Sequence, residues 1–161
     1  MKIVSILENK NIEKRIAITP EIGKKYIALG FDVSIVENYG EHLGFKDNDY
    51  KELGVKICNN EVEALANADV IIQLGLLSDE NLSNLKENQN LVGVFNPYVN
   101  KEKIENLSKK NINVFSLEML PRITRAQSMD ILSSQANLAG YKAVIESFAS
   151  FEKAIPMMMT A

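Results

Sequence analysis

Short apolar runs alternate with helical, Lys/Glu-rich segments along the first part of the chain, and this alternation constrains the fold most. The apolar runs occupy residues 3–7, 31–36, 55–57, 69–74, 91–95 and 113–117. Most of these runs are apolar throughout, which is typical of strands covered on both faces of a sheet. Because helical segments separate the runs, the pattern predicts a parallel sheet between layers of helices.

The helix signals agree with an α/β architecture. Thr19, Pro20 and Glu21 form an N-cap, a proline at the first helical position and an acid in the first turn, and Gly30 ends that helix. We therefore predict a doubly wound, mostly parallel sheet of the Rossmann or flavodoxin type over about residues 1–120. In such sheets ligands bind at the loops that follow the carboxyl ends of the strands. The predicted loops are 8–18, 38–46, 75–78, 96–100 and 118–127.

The pattern changes after Pro121, where the strand signals end. Small residues recur at three- and four-residue spacing at Ala136, Ala139, Gly140 and Ala143. This spacing predicts one long C-terminal linking helix, or two abutting helices, from residue 128 to about 155. We therefore divide the chain into an N-terminal α/β subdomain, 1–127, and a helical connection, 128–161. The apolar, uncharged stretch at 156–161 leads us to expect a chain cut in mid-protein.

Composition excludes several classes of protein. The chain has 161 residues and a net charge of −3, whereas nucleic-acid-binding domains usually carry a basic face. One cysteine and one histidine make a disulfide framework and a zinc site untenable. Neither a membrane-spanning apolar run nor a secretory signal is evident in the sequence, so a cytoplasmic location is the default expectation.

The densest polar cluster begins just after Pro121. Gln127, Asp130 and Ser133 are spaced three apart, so a helix would place them on one face, and Arg122 precedes them in the feeding loop. This set offers a cation, an amide, a carboxylate and a hydroxyl, which suits a flat polar group such as a carboxamide. It contains no pair of nucleophile and base. An ordinary helix N-terminus with a favourable acid remains the alternative interpretation.

A second candidate site lies in the first loop. Arg15 precedes the helix start at Thr19, and an arginine there can bind a phosphate or a carboxylate. A solvated surface arginine is the alternative. The chain lacks both glycine-rich phosphate-binding patterns, and the segment 40–44 has the wrong spacing for either.

Several segments together resemble one enzyme family. They are Glu13-Lys-Arg-Ile-Ala-Ile-Thr-Pro20, Leu29-Gly-Phe-Asp-Val33, Ala68-Asp-Val-Ile-Ile72 and, above all, the block from Pro121 to Ala143. On these residues the whole chain resembles the N-terminal part of the alpha subunit of proton-translocating NAD(P) transhydrogenase. It is similar, more distantly, to alanine dehydrogenase. The chain end fits the approach to the family's Rossmann NAD-binding subdomain, which this sequence does not contain.

The resemblance implies specific roles for the cluster. Arg122, Gln127 and Asp130 match a loop that reaches the nicotinamide end of NAD(H), and Ser133 matches a residue that binds the same carboxamide. Gln127 would also reach towards NADP(H), which a partner domain binds. The implied reaction is reversible hydride transfer from NADH to NADP⁺, coupled to proton translocation. A polar site without an acid or base suits this reaction, because hydride transfer mainly requires orientation.

The family also implies partners and a location. The partners would be membrane-spanning and NADP(H)-binding transhydrogenase subunits, with a second copy of the chain forming a homodimer and no nucleic acid involved. The component would be cytoplasmic and peripheral to the inner membrane. We expect the fragment alone to be inactive, because it lacks most of the cofactor contacts.

Two other functions stay open. The first is NAD-dependent oxidation of an amino acid, as in alanine dehydrogenase, which uses a Lys and a His. The matching positions here are Gln73 and Asn96, and neither can act as a general base near neutral pH. The second is a non-catalytic α/β binding module. The roles of Arg15 and Gln73 are left unassigned.

Overall fold

The computed structural model describes residues 1–153 of the chain, which divides into two compact units, Met1–Met119 and Leu120–Ala161. The first unit contains six strands and five helices. The strands are β1 (Lys2–Ser5), β2 (Asp32–Val36), β3 (Lys56–Cys58), β4 (Val70–Ile72), β5 (Asn90–Gly93) and β6 (Asn113–Ser116). The helices are α1 (Pro20–Ala28), α2 (Asp47–Lys51), α3 (Glu61–Ala66), α4 (Asp79–Ser83) and α5 (Lys101–Lys109).

The six strands form one parallel sheet in the order β3-β2-β1-β4-β5-β6. In the centre of the sheet, Ile3 of β1 lies opposite Val33 of β2 and Val70 of β4. The strand order reverses between β1 and β4, so the loops after these two strands diverge and leave a crevice. The predicted α/β class with a doubly wound parallel sheet is therefore confirmed.

The hydrophobic core lies on both faces of this sheet. Residues from every strand except the edge strands β3 and β6 are fully buried in it, and Tyr39, Tyr50 and Phe95 are its largest side chains. The absence of strict polar alternation in the central strands has this burial as its cause.

Side-chain caps fix the starts of most helices of the first unit. Thr19, Asn60 and Ser78 each accept a hydrogen bond from a backbone N–H in the first turn of α1, α3 and α4. Asn100 occupies the same position before α5, but its side chain donates to the Phe95 carbonyl instead. The expectation that Asn100 caps this helix is therefore wrong for its side chain, which ties the helix to the preceding loop.

A buried polar network joins β1 to β4 and to the start of α1. The Gln73 Oε1 atom accepts from Ser5 Oγ at 2.8 Å and from the Ile6 N–H at 2.9 Å. Since the Ser5 hydroxyl proton goes to Gln73, the Tyr39 hydroxyl donates to Ser5 Oγ, at 2.7 Å. The Tyr39 oxygen in turn accepts the N–H groups of Ala17 and Ile18. This network fixes the return of the first loop to the sheet.

The second unit consists of a short 3-10 helix, Thr124–Met129, and the long helix α6, Ile131–Ala149. None of the α6 residues is buried among the residues that the structure describes. The large apolar side chains that α6 exposes are Leu132, Leu138, Tyr141, Val144, Ile145 and Phe148. A helix that is apolar on most of its circumference is typical of an element covered in a complete protein.

The predicted C-terminal helix extends to residue 155, whereas α6 ends at Ala149. The stretch 154–161, with Met157–Met159 and the end of the predicted connection 128–161, lies outside the described residues. The domain limits 1–127 and 128–161 stay a prediction. Within residues 1–153, no helix is long and apolar enough to cross a membrane.

Candidate functional site

Three of the four predicted site residues line one pocket in the second unit. Arg122, Gln127 and Asp130 surround a cavity of about 240 Å³, together with Ile123 and Thr124. Residues 122 and 123 belong to the extended segment before the 3-10 helix, Gln127 lies within that helix, and Asp130 follows it. The fourth residue, Ser133, reaches the cluster through its hydrogen bonds to Asp130.

The cluster does not lie on one helix face, and that expectation is wrong. Asp130 has φ −74° and ψ 89°, which is not helical, and it separates the 3-10 helix from α6. Because Asp130 caps α6 with its own side chain, the backbone must leave the helical conformation there. The tighter turn nevertheless brings Gln127 next to Asp130, whose N–H donates to the Gln127 carbonyl at 3.4 Å.

Asp130 is held by both of its carboxylate oxygens. Oδ1 accepts the Ser133 N–H at 2.9 Å and Oδ2 accepts the Ser133 hydroxyl at 2.6 Å. These bonds, with a smaller contribution from the Arg122 charge, lower the pKa of the Asp130 carboxyl. The side chain is therefore a carboxylate at neutral pH and does not deliver protons there.

Arg122 and Gln127 keep their donors available. The Arg122 Nε atom is 4.0 Å from Asp130 Oδ2, an ion pair but not a hydrogen bond, and the Arg122 side chain is 70% exposed. The Gln127 side chain forms no hydrogen bond to any residue that the structure describes. The Ser133 hydroxyl donates its proton to Asp130 and so presents only lone pairs to a ligand.

These groups match the hydrogen-bonding needs of a carboxamide. A carboxamide accepts through its oxygen and donates through its two N–H groups. The guanidinium of Arg122 and the amide nitrogen of Gln127 are donors, while the Ser133 oxygen and the amide oxygen of Gln127 are acceptors. The donor set contains no soft or clustered metal ligands, and residues 1–153 hold no group of three metal-binding side chains.

The second candidate, Arg15, is engaged within its own loop. Its Nη2 atom is 2.6 Å from Glu13 Oε2, and its Nε donates to Glu13 Oε1 at 2.9 Å. The Arg15 hydrogen bonds lower the pKa of the Glu13 carboxyl. This guanidinium is thus bound in a fork by a carboxylate of the chain, as a ligand carboxylate would bind it.

Two acids that the sequence analysis did not single out organise the carboxyl edge of the sheet. The Glu8 carboxylate accepts the Leu74 N–H at 2.5 Å and so joins the loops after β1 and β4. Burial raises the pKa of Glu8, against the opposing effect of backbone N–H bonds from Leu74 and Gly75. Glu118 accepts the Asn96 N–H at 2.6 Å and the Ser116 hydroxyl at 2.8 Å, which joins the loops after β5 and β6. Their only sequence signal was their position just after a strand.

The fold defines the class of protein, since this strand order is that of doubly wound domains that bind ligands at the reversal of the order. Comparison with family models then matches residues 6–139 to "Alanine dehydrogenase/PNT, N-terminal domain". The chain belongs to this family.

Known relatives carry transhydrogenase names. The chain is 42% identical to the first of the polypeptides that make up NAD(P) transhydrogenase subunit alpha in Rickettsia prowazekii, and 40% identical to its counterpart in Rhodospirillum rubrum. Each match covers 100% of this chain and 43% of the relative. The crystal structure of transhydrogenase from Sinorhizobium meliloti matches with a TM-score of 0.86 and 37% identity, over 98% of this chain and 48% of that one. The chain thus spans less than half of the length of these relatives.

Proposed function

We propose that the chain is the N-terminal part of the NAD(H)-binding component of a proton-translocating NAD(P) transhydrogenase. The carrying observation is that Arg122, Gln127 and Asp130 line one pocket in a chain 42% identical over its whole length to a transhydrogenase subunit. The rest of that subunit would supply a Rossmann subdomain with most of the NAD(H) contacts. Other subunits would bind NADP(H) and span the membrane.

The cofactors supply the redox chemistry: a hydride leaves C4 of NADH, which becomes NAD⁺, and adds to C4 of NADP⁺, which becomes NADPH. The residues of this chain would orient the nicotinamide of NAD(H). Arg122 would donate to the carboxamide oxygen and the Ser133 oxygen would accept from the carboxamide N–H. Gln127 can do both and would also reach towards NADP(H). Asp130 would position Ser133 and Arg122, since both of its oxygens are already used by Ser133.

Orientation is the main contribution that such a reaction asks of the protein. Holding two reactants in a near-attack geometry can lower a barrier by about 7–11 kcal/mol. No acid or base is required, because a hydride carries its own electrons and both carbons exchange it directly. The lowered pKa of Asp130, caused chiefly by the Ser133 bonds, agrees with a group that stays charged and does not transfer protons.

Amino-acid oxidation is disfavoured by the position of Gln73. That reaction must dispose of protons, whereas the Gln73 side chain is 2% exposed and its oxygen is bonded to Ser5 and Ile6. The assembly would be a homodimer of the component, on the cytoplasmic side and peripheral to the inner membrane. The 161-residue chain alone would be inactive.

The experiment uses the full-length subunit with its partner subunits. We expect transfer from NADH to an NADP⁺ analogue, and no alanine-dependent formation of NADH. Gln127→Asn and Asp130→Asn should slow transfer about 10²-fold while weakening NADH binding far less. Glu146→Gln removes a charge on α6 outside the pocket and is the matched control, with unchanged rate. Equal losses in rate and in binding would show that these residues merely hold the nucleotide.

A non-catalytic binding module would behave differently. It would bind NADH or another ligand in the same preparation, yet show no hydride transfer with any partner subunit added. That result would reject the proposed function whatever the effect of the variants.

A further inference from the structure

The pocket of the second unit has one apolar wall. Four of its five lining residues are polar, and the fifth is Ile123, which is 54% exposed. We propose that Ile123 is a ring-contacting residue, on which the nicotinamide of NAD(H) rests while the polar residues hold its carboxamide. The inference depends on the proposed function and adds to it a residue that selects a flat, apolar ring.

The backbone of Ile123 is fixed on both sides. Its N–H donates to the Pro121 carbonyl at 2.9 Å and its carbonyl accepts the Ala126 N–H at 2.9 Å. The residue is extended, with φ −120° and ψ 158°, at the cap of the 3-10 helix. Isoleucine is also branched at Cβ, which restricts its first side-chain torsion. The apolar surface is thus oriented before a ligand arrives, so little ordering is lost on binding.

The size of the pocket selects one end of a dinucleotide. Its volume of about 240 Å³ is below the roughly 300–1,000 Å³ of pockets that enclose drug-sized ligands. It accommodates a single ring with its substituent, and not a whole dinucleotide. A ring on Ile123 removes apolar surface from water on both partners. It also excludes water from one side of the ring while the hydride moves.

The same 3-10 segment provides a matched control. Met129 is 52% exposed, is apolar, and ends the helix that Ile123 begins, but it does not line the pocket. Ile123→Ala, Ile123→Ser and Met129→Ala therefore remove similar apolar surface from the same segment. Ile123→Val keeps the branched Cβ and most of the wall, and should restore most of the wild-type behaviour.

The test measures two properties of the full-length subunit. The first is the emission of bound NADH, which reports the polarity around the dihydronicotinamide ring without turnover. The second is the rate of transfer to an NADP⁺ analogue with the partner subunits present. We expect Ile123→Ala and Ile123→Ser to shift the emission to longer wavelength and to slow transfer about tenfold, with a smaller change in NADH affinity. Ile123→Val and Met129→Ala should stay near wild type.

The outcomes separate this inference from the proposed function. If wild-type subunit neither binds NADH nor transfers a hydride, the proposed function fails. If wild type does both and Ile123→Ala matches Met129→Ala in emission and in rate, the ring-contacting role of Ile123 is wrong. Should Ile123→Ser fail to fold, the comparison of Ile123→Ala with Met129→Ala still decides.

Discussion

Ser133 binds both oxygens of the Asp130 carboxylate, through its backbone N–H at 2.9 Å and its hydroxyl at 2.6 Å. One pair of residues thereby caps α6 and shapes the pocket before it. Stability of the helix and readiness of the pocket are therefore linked through the same two hydrogen bonds.

The cap can be separated from the charge by substitution. Asp130→Ala removes both acceptors, so we expect a loss of helical content and a lower thermal midpoint. Asp130→Asn keeps one oxygen for the Ser133 N–H and should retain most of the helix. Circular dichroism of both variants gives the comparison. Equal thermal midpoints for the two would show that Asp130 does not cap α6.

The Gln73 network should be strongly stabilising. Gln73→Leu leaves the Ser5 hydroxyl and the Ile6 N–H buried without an acceptor. We expect it to lower the free energy of unfolding by about 2–4 kcal/mol, from the cost of unsatisfied buried groups. Chemical denaturation measures this change.

A double-mutant cycle tests that this cost comes from the network. On a Ser5→Ala background, Gln73→Leu should cost less than in the wild type, because one of the two orphaned donors is already gone. Strictly additive effects of the two substitutions would contradict a direct Ser5–Gln73 bond.

Glu8 should make stability depend on pH. Burial raises its pKa in the folded protein above the ordinary value of about 4.3. The neutral acid is thus favoured by folding, and this contribution is complete below the ordinary pKa and is lost as pH rises through the folded pKa. Glu8→Gln cannot titrate. The thermal midpoint of wild type should therefore fall relative to Glu8→Gln between about pH 3 and about pH 7. A constant difference across that range would disprove the shift.

Gly93 and Gly140 should respond oppositely to alanine. A Cβ at Gly93 would overlap the Gln73 carbonyl and the Phe95 ring, so Gly93→Ala should disrupt β5 and lower expression of folded protein. A Cβ at Gly140 in α6 meets nothing within 4 Å. Gly140→Ala should therefore raise the stability of the helix by about 0.5–1 kcal/mol. A destabilised Gly140→Ala variant would mean that the helix is closely covered there.

The strands and most helix starts could be predicted because they depend on local signals. Buried parallel strands read as apolar runs, and caps such as Thr19 and Ser78 lie next to the helices they start. The sheet class followed from their alternation. The strand order and the joining of neighbouring loops by Glu8 and Glu118 depend on long-range contacts that no local pattern encodes.

The site residues were named from spacing and resemblance, and the structure corrects how they meet. Regular helical spacing assumed one helix through Gln127, Asp130 and Ser133, whereas the Asp130 cap divides it. Competition between a capping side chain and continued helix is a small free-energy difference, so spacing alone does not decide it. Ile123 was missed because a single apolar residue in a polar loop has no periodic neighbours.

The position of Asp130 gives α6 a mechanical property. A helix of 19 residues is a rod about 28 Å long. Since the capping carboxylate stands at one end of the rod and lines the pocket, a ligand seated there acts at the pivot. Each degree of tilt at Asp130 displaces Ala149 by about 0.5 Å. A pocket large enough for one ring can thus move the far end of the helix by several ångströms.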